Sequence, residues 1–165
     1  MYNEPMNSTT LGLLLREGEV LLALKKRGFG AGRWNGFGGK LAPGESVEQG
    51  LIREAVEEIG VIIKPEDLEK IAILNFYFPP AKAEQGWNQS VHIYCVRQWQ
   101  GEPRESEEMK PQWFKYAEIP FAEMWPDDIH WLPRALRGEK LEGDFYFADD
   151  GDSFLKFDLR PRKSF

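Results

Sequence analysis

At 165 residues, 42% of them hydrophobic, the chain has the size and apolar content of one domain with its own core, and residues 1–165 are expected to form it. The formal charge of −6, with 21 Lys and Arg scattered along the chain, argues against an extended nucleic-acid footprint, and no run of about 18 apolar residues exists to span a bilayer. Met1 to Thr10 lacks the charged and then apolar run of a signal peptide, nothing requires a second subunit, and the single cysteine Cys95 excludes an intrachain disulfide, so a cytoplasmic monomer is expected.

Thr10 to Leu15 and Glu19 to Lys25 are apolar runs separated by Arg16, Glu17 and Gly18, the pattern of a β-hairpin. In the next segment Gly28, Gly30, Gly32, Gly36, Gly38 and Gly39 are interleaved with Phe29, Trp34 and Phe37, a composition suited to a loop where backbone approaches ligand. A helix follows: Ser46 can cap it, Val47, Leu51, Ala55 and Ile59 recur every four residues, and Gly60 supplies the stop. Ile71 to Phe78 and Ser90 to Val96 read as strands, with Cys95 buried in the second and Pro79 to Asn88 a loop between them. Gln112 to Tyr116 reads as a short strand, Asp127 to Arg137 as a helix begun by an acidic cap after Pro126, and Asp144 to Phe147 with Ser153 to Leu159 as a hairpin around Asp149 to Asp152. His92 and His130 fit no zinc or catalytic spacing and read as structural. Strands interrupted by helices in one chain indicate an α+β or α/β fold with helices packed on a mixed sheet.

The helix has a second face. Glu54 precedes Glu57 by three residues and Glu58 by four, and like charges at such spacings destabilise an isolated helix by roughly 0.2–0.5 kcal/mol per pair. A solvated face, with Arg53 partly neutralising Glu57, is one account; Mg²⁺ is the other, being a hard ion that takes carboxylate and carbonyl oxygens while bridging to phosphate. The turn residues Gly39, Pro43 and Gly44 favour the ion, because they can fold back and bring Glu45 and a backbone carbonyl toward the carboxylates.

Gly39, Glu45 and the run Arg53, Glu54, Ala55, Val56, Glu57, Glu58, Ile59, Gly60, Val61, at these offsets, resemble the complete Nudix box. The resemblance implies an α/β/α sandwich, a mixed curved sheet with helices on both faces, and hydrolysis of a substrate diphosphate. It implies Mg²⁺, with Mn²⁺ able to substitute, held by Glu54, Glu57 and Glu58 with the Gly39 carbonyl. Arg53 would pair with Glu57, and Glu45 would hold the loop. Glu58 is the expected base or the ligand nearest the attacking water; Glu108, otherwise a solvated acidic turn, is the alternative.

Two further segments, KKRGFGAGRWNGFGGK from Lys25 and EMKPQWFKYAEIPFAEMWPDDIHW from Glu108, are similar to the branch of that family that hydrolyses oxidised purine nucleoside triphosphates to monophosphate and pyrophosphate, sanitising the nucleotide pool. This implies that Asn35, Asp127 and Asp128 read the base, that Trp125, Phe29, Phe76, Phe78 and Met109 line its pocket above a floor of Thr10 and Leu11, and that Lys25 and Gly38 also meet substrate. Physically, Trp125 offers a face for stacking, and two adjacent carboxyls in an apolar pocket titrate as a pair that can keep one proton and so both donate and accept. Against this, Asp127 can be a mere helix cap, Trp113 and Trp131 core residues, and Phe76 and Phe78 one face of a sheet. Rival functions are hydrolysis of another nucleoside diphosphate derivative, such as a diadenosine polyphosphate, a sugar nucleotide or an RNA cap, and a silent nucleotide-binding module; the intact glutamates argue against silence.

Overall fold

In a computed structural model that describes residues 6–165, β1 (Asn7–Arg16) turns through Gly18 into β2 (Glu19–Lys25), and the glycine-rich segment contains the short β3 (Trp34–Asn35). Then come α1 (Val47–Ile59), β4 (Leu68–Tyr77), the one-turn α2 (Pro80–Ala83), β5 (Gln89–Val96), β6 (Met109–Lys115), α3 (Asp128–Leu136), β7 (Lys140–Phe147) and β8 (Phe154–Arg162). The sheet runs β3-β2-β1-β5-β4-β7-β8, with β6 also on β2; β1–β5 and β4–β7 are parallel, the other pairs antiparallel. Met1 to Pro5, the start of the N-terminal stretch read above, lie outside the described residues.

Burial follows the period of two along each strand and separates two cores. On one face Leu14, Leu21, Ala23, Tyr94 and Val96 meet Leu51, Ala55 and Ile59 of α1; on the other Leu13, Leu15, Val20, Leu22 and Ile93 meet Trp131, Leu132 and Ala135 of α3. Strands buried on both faces read as continuous apolar runs, as these do. Helices therefore cover both faces of a mixed sheet. The α1 helix is closed at both ends: Ser46 and Gln49 form a reciprocal capping box, and Gly60, at φ 71°, returns the chain through the left-handed region. Leu51, Ala55 and Ile59 are fully buried, at about 1.5–3 kcal/mol for each large side chain.

The two halves of the sheet separate where the site forms. β1 pairs with β2 only at Leu15–Val20 and Arg16–Glu19, while Asn7 to Leu14 follow β5. As β1 leaves, β3 takes its place against Ala23 and Leu24, and the chain then crosses to β1, where Phe37 pairs with Gly12 and Lys40 with Thr9. Gly36 is at the crossing; a Cβ there would lie 2.4 Å from the Gly12 carbonyl oxygen.

Several boundaries differ from the sequence reading. The Pro79 to Asn88 segment is not simply a loop, since Pro80 opens a helical turn through Ala81, Lys82 and Ala83. β6 begins at Met109, with Pro111 tolerated because β6 is an edge strand bound to β2 alone. Asp127 precedes α3 with helical backbone angles and makes no side-chain capping bond, because its carboxylate is engaged elsewhere.

Candidate active site

Arg53 gathers the loop onto α1. Its guanidinium donates to both oxygens of Glu45 at 2.7 and 2.9 Å, to Glu54 at 3.0 Å, to Glu57 at 3.2 Å and to the Lys40 carbonyl at 3.2 Å. Glu45 also accepts the Ala42 amide at 2.7 Å, which closes the Gly39 to Ser46 turn. These bonds hold the Glu45 carboxyl down at about 2.

Glu54, Glu57 and Glu58 of α1 separate into two environments. Glu57 is exposed beside Arg53, whereas Glu54 is mostly covered and Glu58 is 2% exposed. Glu58 Oε1 accepts the Gly38 amide at 2.7 Å, and a Cβ on Gly39 would lie 2.9 Å from Glu54 Oε1, so the glycine backbone rests directly on both carboxylates. Burial, only partly offset by the Gly38 bond, and the nearby Glu54 raise Glu58 to about 8; burial also raises Glu54. The Gly39 carbonyl accepts the Thr10 amide at 2.9 Å. Among the described residues no three acidic, His or Cys side chains converge on a single point. What α1 presents is a pair of buried, under-compensated carboxylates against glycine backbone, an all-oxygen donor set suited to a hard divalent cation.

Glu108 is half-exposed and paired with Arg27 at 3.4 Å, close enough to add to the negative field on Glu54 and Glu58. Ser106 connects this turn to the helix: its hydroxyl donates to the Glu58 carbonyl at 2.7 Å and accepts the Glu108 and Met109 amides.

A cavity of 470 Å³ opens between the separated halves of the sheet. It is lined by Thr10, Leu11, Lys25, Phe29, Asn35, Gly38, Phe76, Phe78, Met109, Trp125, Asp127 and Asp128, the full set that the sequence assigned to substrate, with Gly39 at the same wall. Trp125 already has neighbours, Phe29 stacked at 5.1 Å between centroids and the Arg33 guanidinium 4.2 Å from its ring. Asn35 Oδ1 accepts the Gly36 amide at 2.9 Å, which orients the side chain in the cavity wall.

Asp127 and Asp128 are 4% and 3% exposed and both accept from Trp131 Nε1, at 2.9 and 3.1 Å. Asp128 Oδ2 is buried in the cavity wall without a hydrogen-bond partner. Burial raises Asp127 to about 6, and burial together with the Asp127 charge raises Asp128 well above the usual carboxylate range. Both carboxyls are raised and adjacent, so they titrate as a pair that retains a proton more readily than a lone carboxylate does.

The sequence reading missed four contributors. Trp131 is a core residue, but its indole N–H orients both aspartates; Arg33, Trp87 and Ser106 were not singled out. Their signals are weak in sequence because their partners are distant along the chain: Arg33 reaches the Met124 carbonyl and Asp152. His92 contacts Lys70 at 2.9 Å, and His130 packs on Phe154 and Phe157, both away from the cavity lining. Cys95 is buried.

The profile of the family described as "NUDIX domain" matches residues 6–135. Among curated proteins, the chain is 46% identical over 156 residues to the mouse "Oxidized purine nucleoside triphosphate hydrolase", covering 94% of this chain and 96% of that one. It is likewise 46% identical over 138 residues to the zebrafish protein of the same description, covering 84% and 85%. Among solved structures, a Bacillus halodurans mutator MutT protein superposes with TM-score 0.77 at 26% identity, covering 93% and 97% of the two chains.

Proposed function

This chain belongs to the NUDIX family, and on that premise we propose that it hydrolyses oxidised purine nucleoside triphosphates, 8-oxo-dGTP and 2-oxo-dATP, to the monophosphate and pyrophosphate, using a divalent cation. The observation that carries the reading is the buried, unpartnered Asp128 Oδ2 beside Asp127 in an aromatic cavity whose other wall is Gly38 and Gly39 against the acidic helix. One end offers a shared proton to a purine edge and the other gathers negative charge for a metal diphosphate. The names of the mouse and zebrafish relatives support the same substrate.

Each residue has a role that follows from its surroundings. The NH₂ of Asn35, with the proton held between Asp127 and Asp128, gives the same cavity donors and an acceptor. Moving that proton changes the pattern, which suits two different oxidised purines. Lys25, in the cavity wall and within electrostatic reach of Glu58, balances polyphosphate charge. Glu54 and Glu58, with Glu57 and the Gly39 carbonyl, would hold Mg²⁺, with Mn²⁺ able to substitute. When bound, such an ion neutralises charge on the phosphates and lowers the pKa of a coordinated water. Glu58 Oε1 is fixed by the Gly38 amide, which leaves Oε2 to accept the proton of the attacking water. Arg53 and Glu45 keep the loop on the helix. Glu108 is the second proton acceptor within range. We read the whole chain as one catalytic domain acting as a cytoplasmic monomer; no helix among the described residues is long and apolar enough to cross a membrane.

The test is steady-state hydrolysis with Mg²⁺ of 8-oxo-dGTP, 2-oxo-dATP, dGTP, dATP and a diadenosine polyphosphate, assaying pyrophosphate and phosphate separately. Preference for the oxidised triphosphates with pyrophosphate as product is expected. Equal rates on the normal nucleotides, or activity only on the diadenosine compound, would remove the substrate assignment and leave the hydrolase.

A further inference from the structure

The segment between β4 and β5 places Trp87 in the cavity wall. It is a built wall. The α2 turn precedes it, the Trp87 amide donates to the Lys82 carbonyl at 3.3 Å, and Lys82 Nζ lies 4.4 Å from the indole centroid. Next to it Asn88 is completely buried, with Oδ1 accepting the Phe78 amide at 2.8 Å and its carbonyl accepting the Asn7 amide at 3.0 Å. The segment is thereby fastened to β4 and β1.

The Trp87 indole stands edge-on to Phe29 at 4.8 Å and 85°, and edge-on to Phe78 at 5.2 Å and 80°. Its far edge lies beside Gly151, where a Cβ would be 3.3 Å from the ring. Phe29 stacks on Trp125, Trp125 carries Arg33, and Arg33 pairs with Asp152 next to Gly151. Four segments distant in sequence thus meet in a chain of contacts at the cavity wall: the glycine-rich loop, the Trp87 segment, the Trp125 turn and the β7–β8 turn.

We propose that Trp87 is a specificity-determining residue, setting the width of the cavity at its Phe29–Phe78 wall and pressing Phe29 onto Trp125, so that it selects among purines by the size of their ring substituents. The proposal rests on the purine reading above. The ring and cation contacts of Trp87 are with Phe29, Phe78 and Lys82, so its effect belongs to fit and not to the hydrolytic step.

The experiment compares the full-length protein with Trp87→Ala and Trp87→Phe in two measurements. The first is calorimetric binding of 8-oxo-dGMP without metal. The second is kcat and KM with Mg²⁺ for 8-oxo-dGTP and for dGTP carrying a benzyl group on N2 or O6. Trp87→Ala is expected to weaken monophosphate binding at least tenfold and to raise KM for 8-oxo-dGTP with kcat within about threefold. It should shift the ratio of kcat/KM values at least tenfold toward a benzylated analogue, and Trp87→Phe should recover most of the native ratio. Unchanged binding and ratio in Trp87→Ala would overturn the proposal, as would an equal loss on every substrate, which marks a purely structural role. If the unaltered protein binds no purine monophosphate and shows no preference among purines, the substrate reading itself fails, a result distinct from a variant that matches the parent.

Discussion

Gly38 donates its backbone N–H to Glu58 Oε1 at 2.7 Å, twenty residues along the chain, and so joins the substrate cavity to the acidic helix. The bond fixes one oxygen of a carboxyl that burial has raised to about 8 and, together with Gly39 resting on Glu54, ties the cavity wall to the carboxylates of α1.

Replacing Glu58 by Gln keeps the shape and removes the charge. Turnover should fall by roughly 10²–10⁴-fold, the usual contribution of a positioned acid or base. The sign for stability is opposite: a carboxyl whose folded pKa is raised from 4.5 to about 8 costs the metal-free fold stability as pH rises through that interval. Thermal unfolding in EDTA should therefore show the Gln variant more stable than the parent at pH 8 and no more stable at pH 4. A Gln variant with parental turnover removes Glu58 from the mechanism.

Asp128→Asn separates recognition from stability in the same way. With both aspartates raised by burial, Asp127 to about 6 and Asp128 well above its ordinary range, the native pair loses stability as pH rises above the ordinary value of 3.8. The Asn variant should melt higher at pH 7.5 and depend less on pH, while its KM for 8-oxo-dGTP rises by about tenfold or more, because the amide has no proton to exchange between donor and acceptor roles. A lower melting temperature with unchanged KM would mean that the pair serves the fold alone.

Two glycines give a steric contrast. A Cβ on Gly38, at φ 145°, would lie 2.0 Å from the Thr10 carbonyl oxygen, whereas one on Gly44, at φ 82°, would meet open space. Gly38→Ala should lose both activity and several degrees of thermal stability. Gly44→Ala should keep its kinetics and bear only a backbone cost of about 1–2 kcal/mol. Full activity in Gly38→Ala would show that the loop can leave β1 without consequence.

Arg53→Lys preserves charge and removes the planar fork that holds both oxygens of Glu45 together with Glu54, Glu57 and the Lys40 carbonyl. Outer partners that orient ligands are worth roughly 10–100-fold in metal affinity. A Mg²⁺ titration of activity should show a shift of that size with a smaller change in kcat at saturation. An unshifted titration would limit Arg53 to structural support.

The parts of this molecule legible in its sequence are those whose causes are local. Ser46, Gln49 and Gly60 sit beside the helix they delimit, and Leu51, Ala55 and Ile59 repeat at its period, so α1 could be read directly. The offsets from Gly39 to Val61 were equally local. β3 was missed because two residues carry no periodicity, and its pairing with Ala23 and Leu24 depends on where β1 turns away. Asp127 illustrates the reverse: its position before a helix suggests a cap, and only the fold reveals Trp131 Nε1 as its partner. Trp87 looked like part of a loop because the rings it meets, Phe29 and Phe78, come from other strands and turns.

The early parting of β1 from β2 has a consequence for how such a protein can change. The space between them is created by the course of the backbone and bridged by Gly36, not kept open by a set of small side chains. Its outer lining can therefore change without the backbone closing over the cavity. Phe78, Ile93, Met109, Trp131 and Phe147 belong both to this lining and to the buried apolar layers, so a new ligand is most readily accommodated by changing the outer lining, such as Phe29, Asn35 and Trp125, while the architecture stays the same.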